Sequence, residues 1–188
     1  MVRLFPGRRP DRGRPTARPA ALPDALLGAT SGHSAAPNRW GGRESTIPPI
    51  SAERIVNWLG ANNYHYFVDD DGDVGGLWNT RLFSFFLYGD DSEILQVRGT
   101  WNREISIERI AEVLEFCNEW NGLRVWPKAF ARVRDDGMVH LVAEVSTDLE
   151  HGVNDDQLDH LMRTALGAGN AFFDAVDNLY PDPAAEAP

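Results

Sequence analysis

The sequence predicts a two-layer α+β domain, in which three helices pack on a mostly antiparallel sheet of about five strands. Two observations support this prediction. Short runs of alternating or β-branched apolar residues are separated by Asp- and Gly-rich turns, which is typical of antiparallel hairpins. Three other segments place apolar residues three and four positions apart, as amphipathic helices do. The predicted order is helix, three strands, helix, two strands, helix.

The first half of the domain is predicted to form one helix and three strands. Ser51 can cap a short helix that Gly60 ends. Residues 64–68 alternate as a strand does, and the acidic run 69–73 predicts a turn because Asp-Gly tolerates positive φ. The next two runs are aromatic and β-branched and predict a hairpin, and they are residues 82–88 and 94–101.

The second half begins with an amphipathic helix over residues 107–120, where apolar residues recur at helical spacing and glutamates lie mostly on the other side. Residues 128–134 and 138–145 then flank Asp-Asp-Gly at 135–137, which is a strong hairpin signal. These two segments add two strands to the sheet.

The last helix is predicted to begin at Asn154, which with Gln157 forms a variant of the capping box. A long apolar stripe follows and ends at Tyr180-Pro181. Gly167 and Gly169 interrupt the stripe, and each costs about 1 kcal/mol of helix propensity. We therefore expect close packing or a bend at these glycines.

Charge divides the chain near residue 44. Residues 1–44 contain eight Arg and three acidic residues, whereas the remainder contains ten basic and 25 acidic residues. Residues 1–47 are rich in Arg, Pro and Ala without apolar periodicity, which predicts a disordered basic tail. A second disordered tail is predicted for residues 182–188. The folded domain, residues 48–181, should repel nucleic acid and anionic lipid because of its negative charge.

Composition also restricts the location of the protein and its chemistry. The single cysteine, Cys117, excludes an intrachain disulfide and a Cys-based zinc cluster, and it fits a reducing compartment. No apolar run approaches the roughly 18 residues that cross a bilayer. We therefore predict a cytoplasmic protein that does not span the membrane.

Motifs for catalysis, cofactors or metals are not found. The acidic run 69–73 fails the EF-hand pattern, because placing Gly72 at the sixth position puts Phe67 first and Trp78 twelfth. The five histidines lack the spacing of a zinc enzyme, and Cys117 lies on the apolar face of its helix, where burial disfavours the thiolate. We predict a non-enzymatic protein without a cofactor, and an enzyme with a cryptic site stays the alternative.

Tryptophans give the densest signal of a contact surface. The run Asn118-Glu119-Trp120-Asn121 is closely followed by Trp126-Pro127-Lys128. Indoles favour either cores or interface anchors, and both interpretations stay open. The partner-binding surface that we predict consists of Trp78, Trp101, Trp120, Trp126 and Lys128.

The same motifs resemble the YbjN-domain family of bacterial proteins, and they are most similar to its actinobacterial members. The resemblance covers about residues 50–181, and it also includes the segment 148–158, Phe172-Phe173 and Tyr180-Pro181. It implies a fold like that of type III secretion chaperones, self-association, and regulation of sensory transduction or stress responses. It implies no catalytic residues.

A protein-binding module is the function that we predict, either a chaperone-like protein or a regulatory adaptor that holds a peptide segment of a partner. The resemblance also implies a homodimer, with residues 107–120 as the candidate contact. A nucleic-acid-associated regulator that uses the basic tail is a further alternative.

Overall fold

The computed structural model describes residues 47–181, so the predicted tails, residues 1–47 and 182–188, lie outside the described part except for Ile47. The helices are α1 (Ala52–Ala61), α2 (Ile110–Leu123), which follows a 3-10 turn at Ile107–Arg109, and α3 (Asp155–Leu179). The strands are β1 (Tyr66–Val68), β2 (Val74–Trp78), β3 (Arg81–Tyr88), β4 (Ile94–Thr100), β5 (Ile105–Ser106), β6 (Lys128–Val133) and β7 (Met138–Asp148).

The strands form one sheet in which every pairing is antiparallel. Strands β1 to β4 pair in sequence order, β4 and β5 pair with successive stretches of one side of β7, and β6 pairs with its other side. The predicted α+β class and the three helices are confirmed. The sheet has seven strands rather than five, because β2 and the two-residue β5 were not predicted.

Strand β2 contains two glycines that other side chains cover. The ring of Phe67 lies over Gly75, where an added Cβ would come within 2.5 Å of the ring. The ring of Trp78 covers Gly76 in the same way, at 2.7 Å. Glycines in the interior of a strand weaken it, because they have no side chain to pack against their neighbours. The two aromatic rings supply the packing that the glycines lack.

All three helices pack on one face of the sheet, which we call the inner face. Helix α3 crosses β4 and β7, whereas α1 lies beside β2 and α2 beside β6. The buried core therefore lies between the helices and alternate residues of the strands, such as Phe83, Phe85, Val97 and Leu141. The opposite face, which we call the outer face, is not covered by a helix of residues 47–181.

Close approach of α3 to the sheet depends on Gly169. A Cβ added there would lie 2.7 Å from the ring of Phe83, which is fully buried. The predicted close packing is therefore confirmed at Gly169, whereas Gly167 faces open space and α3 continues through both positions. The predicted capping box of Asn154 and Gln157 is also present.

Three polar contacts join α1 to α3 at intervals of four residues. Arg54 binds Asp155, Trp58 donates to Asp159, and Asn62 accepts from Arg163. In each contact the two partners are 101 residues apart in the chain. Hydrogen bonds from Arg163 and then Trp58 hold the pKa of Asp159 below its ordinary value. The two helices therefore run side by side in the same direction.

The C-terminal end of α3 is held by Asp177. Its carboxylate accepts hydrogen bonds from Trp101 at 2.9 Å, from Arg103 at 2.8 Å and from Arg81. Arg81 is buried, and it also pairs with Asp174 at 2.8 Å. The start of β3 and the end of β4 are thus joined to the last turn of α3.

Candidate protein-binding surface

The corner between α2 and β6 contains most of the motif residues. The buried ring of Trp120 packs edge-on against Phe172, with 5.2 Å between the ring centroids. The side-chain amide of Asn121 donates to the Ala129 carbonyl and accepts from the Ala129 N–H, both at 2.8 Å. The amide thus takes the place of a neighbouring strand at that point of β6, and it fixes the distance between helix and strand.

Pro127 closes the other side of the corner. Its ring is buried, and the Trp126–Pro127 peptide bond is cis. The segment between Asn121 and Pro127 is therefore fixed at both ends, by the hydrogen bonds of Asn121 and by the buried ring of Pro127.

Residues 123–126, which we call the apolar loop, place large apolar side chains in solvent. Leu123 is 80% exposed, Val125 is 87% exposed and Trp126 is 40% exposed. Contiguous exposed apolar patches mark interaction sites more often than single exposed apolar residues do. The apolar loop is therefore the candidate binding surface.

The tryptophans of the predicted surface do not lie together. Trp101 and Trp120 are only 3% and 6% exposed, so their assignment to a partner surface is wrong, since both rings fill the core. Trp78 is half-buried and packs against Tyr64 and Phe85 at the other end of the sheet. Trp126 and Lys128 alone lie at the exposed corner.

Lys128 begins a row of side chains on the outer face. Alternation along β6 turns Ala129 and Ala131 towards the core and places Lys128, Phe130 and Arg132 on the other side. Lys128 and Arg132 are exposed and Phe130 is half-buried. The apolar loop therefore continues into a face that combines cationic and aromatic side chains.

The ionisable groups that drew attention in the sequence have structural roles. Burial raises the pKa of the Cys117 thiol to about 11, so the thiolate is scarce at neutral pH. The Asp69 carboxylate accepts from the backbone N–H groups of Asp71 and Asp73, which closes the predicted turn between β1 and β2. Within residues 47–181, no three His, Cys, Asp or Glu side chains group closely enough to hold a metal ion.

Leu123 and Val125 were missed by sequence reasoning. Leu123 follows Trp120 by three positions, which is the spacing of the apolar face of α2, so periodicity assigns it to the core. The available signal was position, because both residues fall between the predicted end of the helix at 120 and the predicted start of the strand at 128, and connecting segments usually lie at the surface.

Residues 51–178 match the model of a family that is described as "Putative bacterial sensory transduction regulator", YbjN. The chain belongs to the YbjN family. The resemblance that the motifs gave is thereby confirmed, and the similarity to actinobacterial members stays a prediction. No curated protein matches the sequence.

Two solved structures are similar to this YbjN-family chain to different degrees. One is described as the crystal structure of YbjN, a putative transcription regulator from E. coli. Its TM-score is 0.59 and its sequence identity is 15%, and the match covers 69% of this chain and 94% of the E. coli chain. The other, an uncharacterized protein from Methanothermobacter thermautotrophicus, has a TM-score of 0.47 and 11% identity and covers 70% of this chain and 99% of that chain. The similarity to the E. coli structure shows a shared fold.

The helices of the YbjN domain differ from membrane-spanning helices. None of those within residues 47–181 combines the length and the apolar character that crossing a bilayer requires. The 25-residue helix α3, for example, has an exposed polar side and an apolar side that packs on the sheet.

Proposed function

We propose that this YbjN-family protein is a regulatory adaptor that binds a partner protein through the apolar loop. The observation that supports the proposal is the exposure of Leu123 and Val125, at 80% and 87%, within a segment that is held at both ends. The regulatory part of the proposal agrees with the description of the family.

A held loop is suited to binding because little conformational freedom is lost when the partner arrives. Ordering a flexible side chain at an interface costs about 0.5–1.5 kcal/mol, and ordering backbone costs more. Burying a Leu or Val side chain contributes about 1.5–3 kcal/mol. Leu123, Val125 and the exposed part of Trp126 therefore supply a central apolar contact of the kind that dominates interface energies.

The edges of the sheet are less suited to the same task. The side chain of Asn121 already binds the backbone groups of Ala129 on the edge of β6 that does not pair with β7. The opposite edge, β1, has only three residues, and short edge strands discourage pairing with another chain. A partner segment therefore binds through side chains of the loop rather than as an added strand.

The proposal is tested by crosslinking in the native host. A photoreactive amino acid replaces Val125 in one version of the chain and Leu77, an apolar residue that is 67% exposed on β2, in another. We expect one discrete protein adduct at position 125 and none at position 77. Adducts of the same identity at both positions would contradict the proposal.

A second measurement uses substitutions without a crosslinker. The double variant Leu123→Ser and Val125→Ser should lose the partner that the Val125 crosslink identifies, whereas the matched variant Leu77→Ser should retain it. The purified partner is titrated against each variant, and circular dichroism checks that all variants fold. Equal affinity of the double variant and the unaltered chain would rule out the apolar loop as the binding surface.

A further inference from the structure

We infer that the partner segment is acidic as well as apolar, and that its carboxylates lie along Arg124, Lys128 and Arg132, which we call the basic stripe. This inference rests on the proposed function and adds the chemistry of the partner.

Residues 47–181 contain ten Lys and Arg and 23 Asp and Glu. Seven of the ten cations form an ion pair with a carboxylate of the domain, and they are Arg54, Arg81, Arg98, Arg103, Arg109, Arg134 and Arg163. The members of the basic stripe form none with a carboxylate of residues 47–181. All three fall within nine successive positions, although carboxylates outnumber cations more than twofold in the domain.

Aromatic rings take the place of carboxylates at two of the three members of the basic stripe. The guanidinium carbon of Arg124 lies 3.8 Å from the centroid of the Trp120 ring. The ammonium of Lys128 lies 5.9 Å from the centroid of the Phe130 ring. A cation over an aromatic face is held in position but is not neutralised. The stripe therefore keeps its positive charge available to a ligand.

The neighbouring strand offers the stripe no free carboxylate. Glu144 is the residue opposite Lys128, and its carboxylate accepts a hydrogen bond from Nε of Arg98. His140 is the residue opposite Arg132, and its Nε2 lies 2.7 Å from Glu104. The charges beside the stripe are thus already matched to other groups.

A short acidic segment of a protein fits this surface better than nucleic acid does. Four residues of extended β6 separate Lys128 from Arg132, which corresponds to roughly 13 Å. A polynucleotide longer than a few residues would leave the stripe and meet a domain with a large excess of carboxylates, which repels it. A peptide with a few Asp or Glu beside Leu, Phe or Trp meets the stripe and the apolar loop together.

The inference is tested by selecting binders from a random peptide library displayed on phage, with the full chain as the target. One variant replaces the stripe (Arg124→Gln, Lys128→Gln and Arg132→Gln). A second variant makes the same change in net charge at exposed positions elsewhere (His65→Glu, Ala171→Glu and Asn178→Glu). Residues 1–46 are unchanged in both variants, so binding to those residues would persist in both.

We expect the full chain to select peptides in which Asp or Glu accompanies large apolar residues. Their affinity should fall at least about tenfold in the stripe variant, which corresponds to about 1.4 kcal/mol for three exposed charge pairs, and change little in the charge-matched control. Raising the salt concentration should weaken binding to the full chain but not to the stripe variant.

Three other outcomes would overturn the inference, and they separate it from the proposed function. Selected peptides that lack acidic residues and bind the stripe variant equally well would remove the inference and leave the apolar loop as the binding surface. A single-stranded oligothymidylate whose binding is lost in the stripe variant would make the ligand a nucleic acid. Failure to select any peptide that requires Leu123 and Val125 would overturn both proposals.

Discussion

The C-terminal end of α3 and the corner between α2 and β6 use the same kinds of side chain, but they differ in what they leave exposed. Each has a buried tryptophan, Trp101 in one and Trp120 in the other, and each has a side chain that bridges two elements. Around Asp177 the cations have carboxylate partners. At the corner the bridge of Asn121 is equally well formed, yet apolar side chains and cations remain in solvent. The side chains around Asp177 therefore stabilise the fold, whereas the corner holds apolar and cationic side chains exposed to solvent.

The largest expected effect on stability is at the C-terminal end of α3. Asp177→Ala removes the acceptor of three donors and leaves the buried Arg81 with Asp174 as its carboxylate partner and Asn170 as a neutral acceptor. We expect a loss of about 2–3 kcal/mol in the free energy of unfolding, measured by urea denaturation. The neighbouring exposed residue supplies the control, Asn178→Ala, which should change stability by less than about 0.5 kcal/mol. A loss below about 1 kcal/mol at Asp177 would show that its contacts are not maintained in solution.

The two glycines of α3 give the next largest effect. Gly169→Ala should destabilise the domain by about 1–2 kcal/mol, because the new Cβ would lie 2.7 Å from the buried Phe83 ring. Gly167→Ala meets open space and should stabilise it by about 0.5–1 kcal/mol through helix propensity. Thermal unfolding of the two variants checks the difference in sign. Equal effects would mean that α3 does not pack closely against the sheet at Gly169.

A smaller effect is expected at the corner. Asn121→Ala removes both hydrogen bonds to Ala129 and should cost about 1 kcal/mol, since each such bond contributes about 0.5–1.5 kcal/mol net and water replaces part of the loss. The amide of Ala129 should also exchange its hydrogen faster. Asn118→Ala, from the same motif, is the control and should leave this amide protected. Unchanged hydrogen exchange of the Ala129 amide in Asn121→Ala would show that the Asn121 side chain, unlike that of Asp177, does not stabilise the contact between its two elements.

The smallest effect is a dependence on pH at Asp177. Burial of its carboxylate raises the pKa, but hydrogen bonds from Arg103, Trp101 and Arg81 outweigh burial and hold the pKa below its ordinary value. The ionised carboxylate therefore stabilises the fold above the unfolded-state pKa of about 3.9, and this contribution is lost as pH falls through the lower folded-state pKa. The difference in unfolding free energy between the protein and Asp177→Asn should be constant near neutral pH and shrink below about pH 4. A difference that grows on acidification would contradict the assignment.

The sequence predicts the helices and most strands of this domain because their local signals agree with the final packing. The capping box of Asn154 and the turn at 135–137 are determined within a few residues, and both are found where expected. Strand β2 was not predicted because Gly75-Gly76 is a poor strand sequence by itself. Its glycines are compensated by Phe67 and by Trp78, and covering of this kind is visible only after folding.

The candidate site was predicted only in part, and for a similar reason. An indole has the same local pattern whether it fills a core or binds a partner, so Trp101, Trp120 and Trp126 could not be separated by sequence. The exposure of Leu123 depends on Asn121, whose amide sets where the helix meets β6. The lack of carboxylate partners at the basic stripe depends on Arg98, which holds Glu144. Both features arise from side-chain contacts between different elements, which the local sequence pattern of one element does not show.

The pairing of α1 with α3 has a consequence for how the protein is made. Arg54 and Trp58 find their partners 101 residues later in the chain. At roughly 5–20 residues per second, a ribosome needs roughly 5–20 s to supply those partners after α1 has been synthesised. During this interval Ile55 and Leu59, which are fully buried in the finished domain, remain accessible to chaperones that bind nascent chains. A premature stop before α3 would therefore yield a chain whose first helix keeps only its contact with the sheet and lacks the partners of Arg54 and Trp58, rather than a smaller working domain.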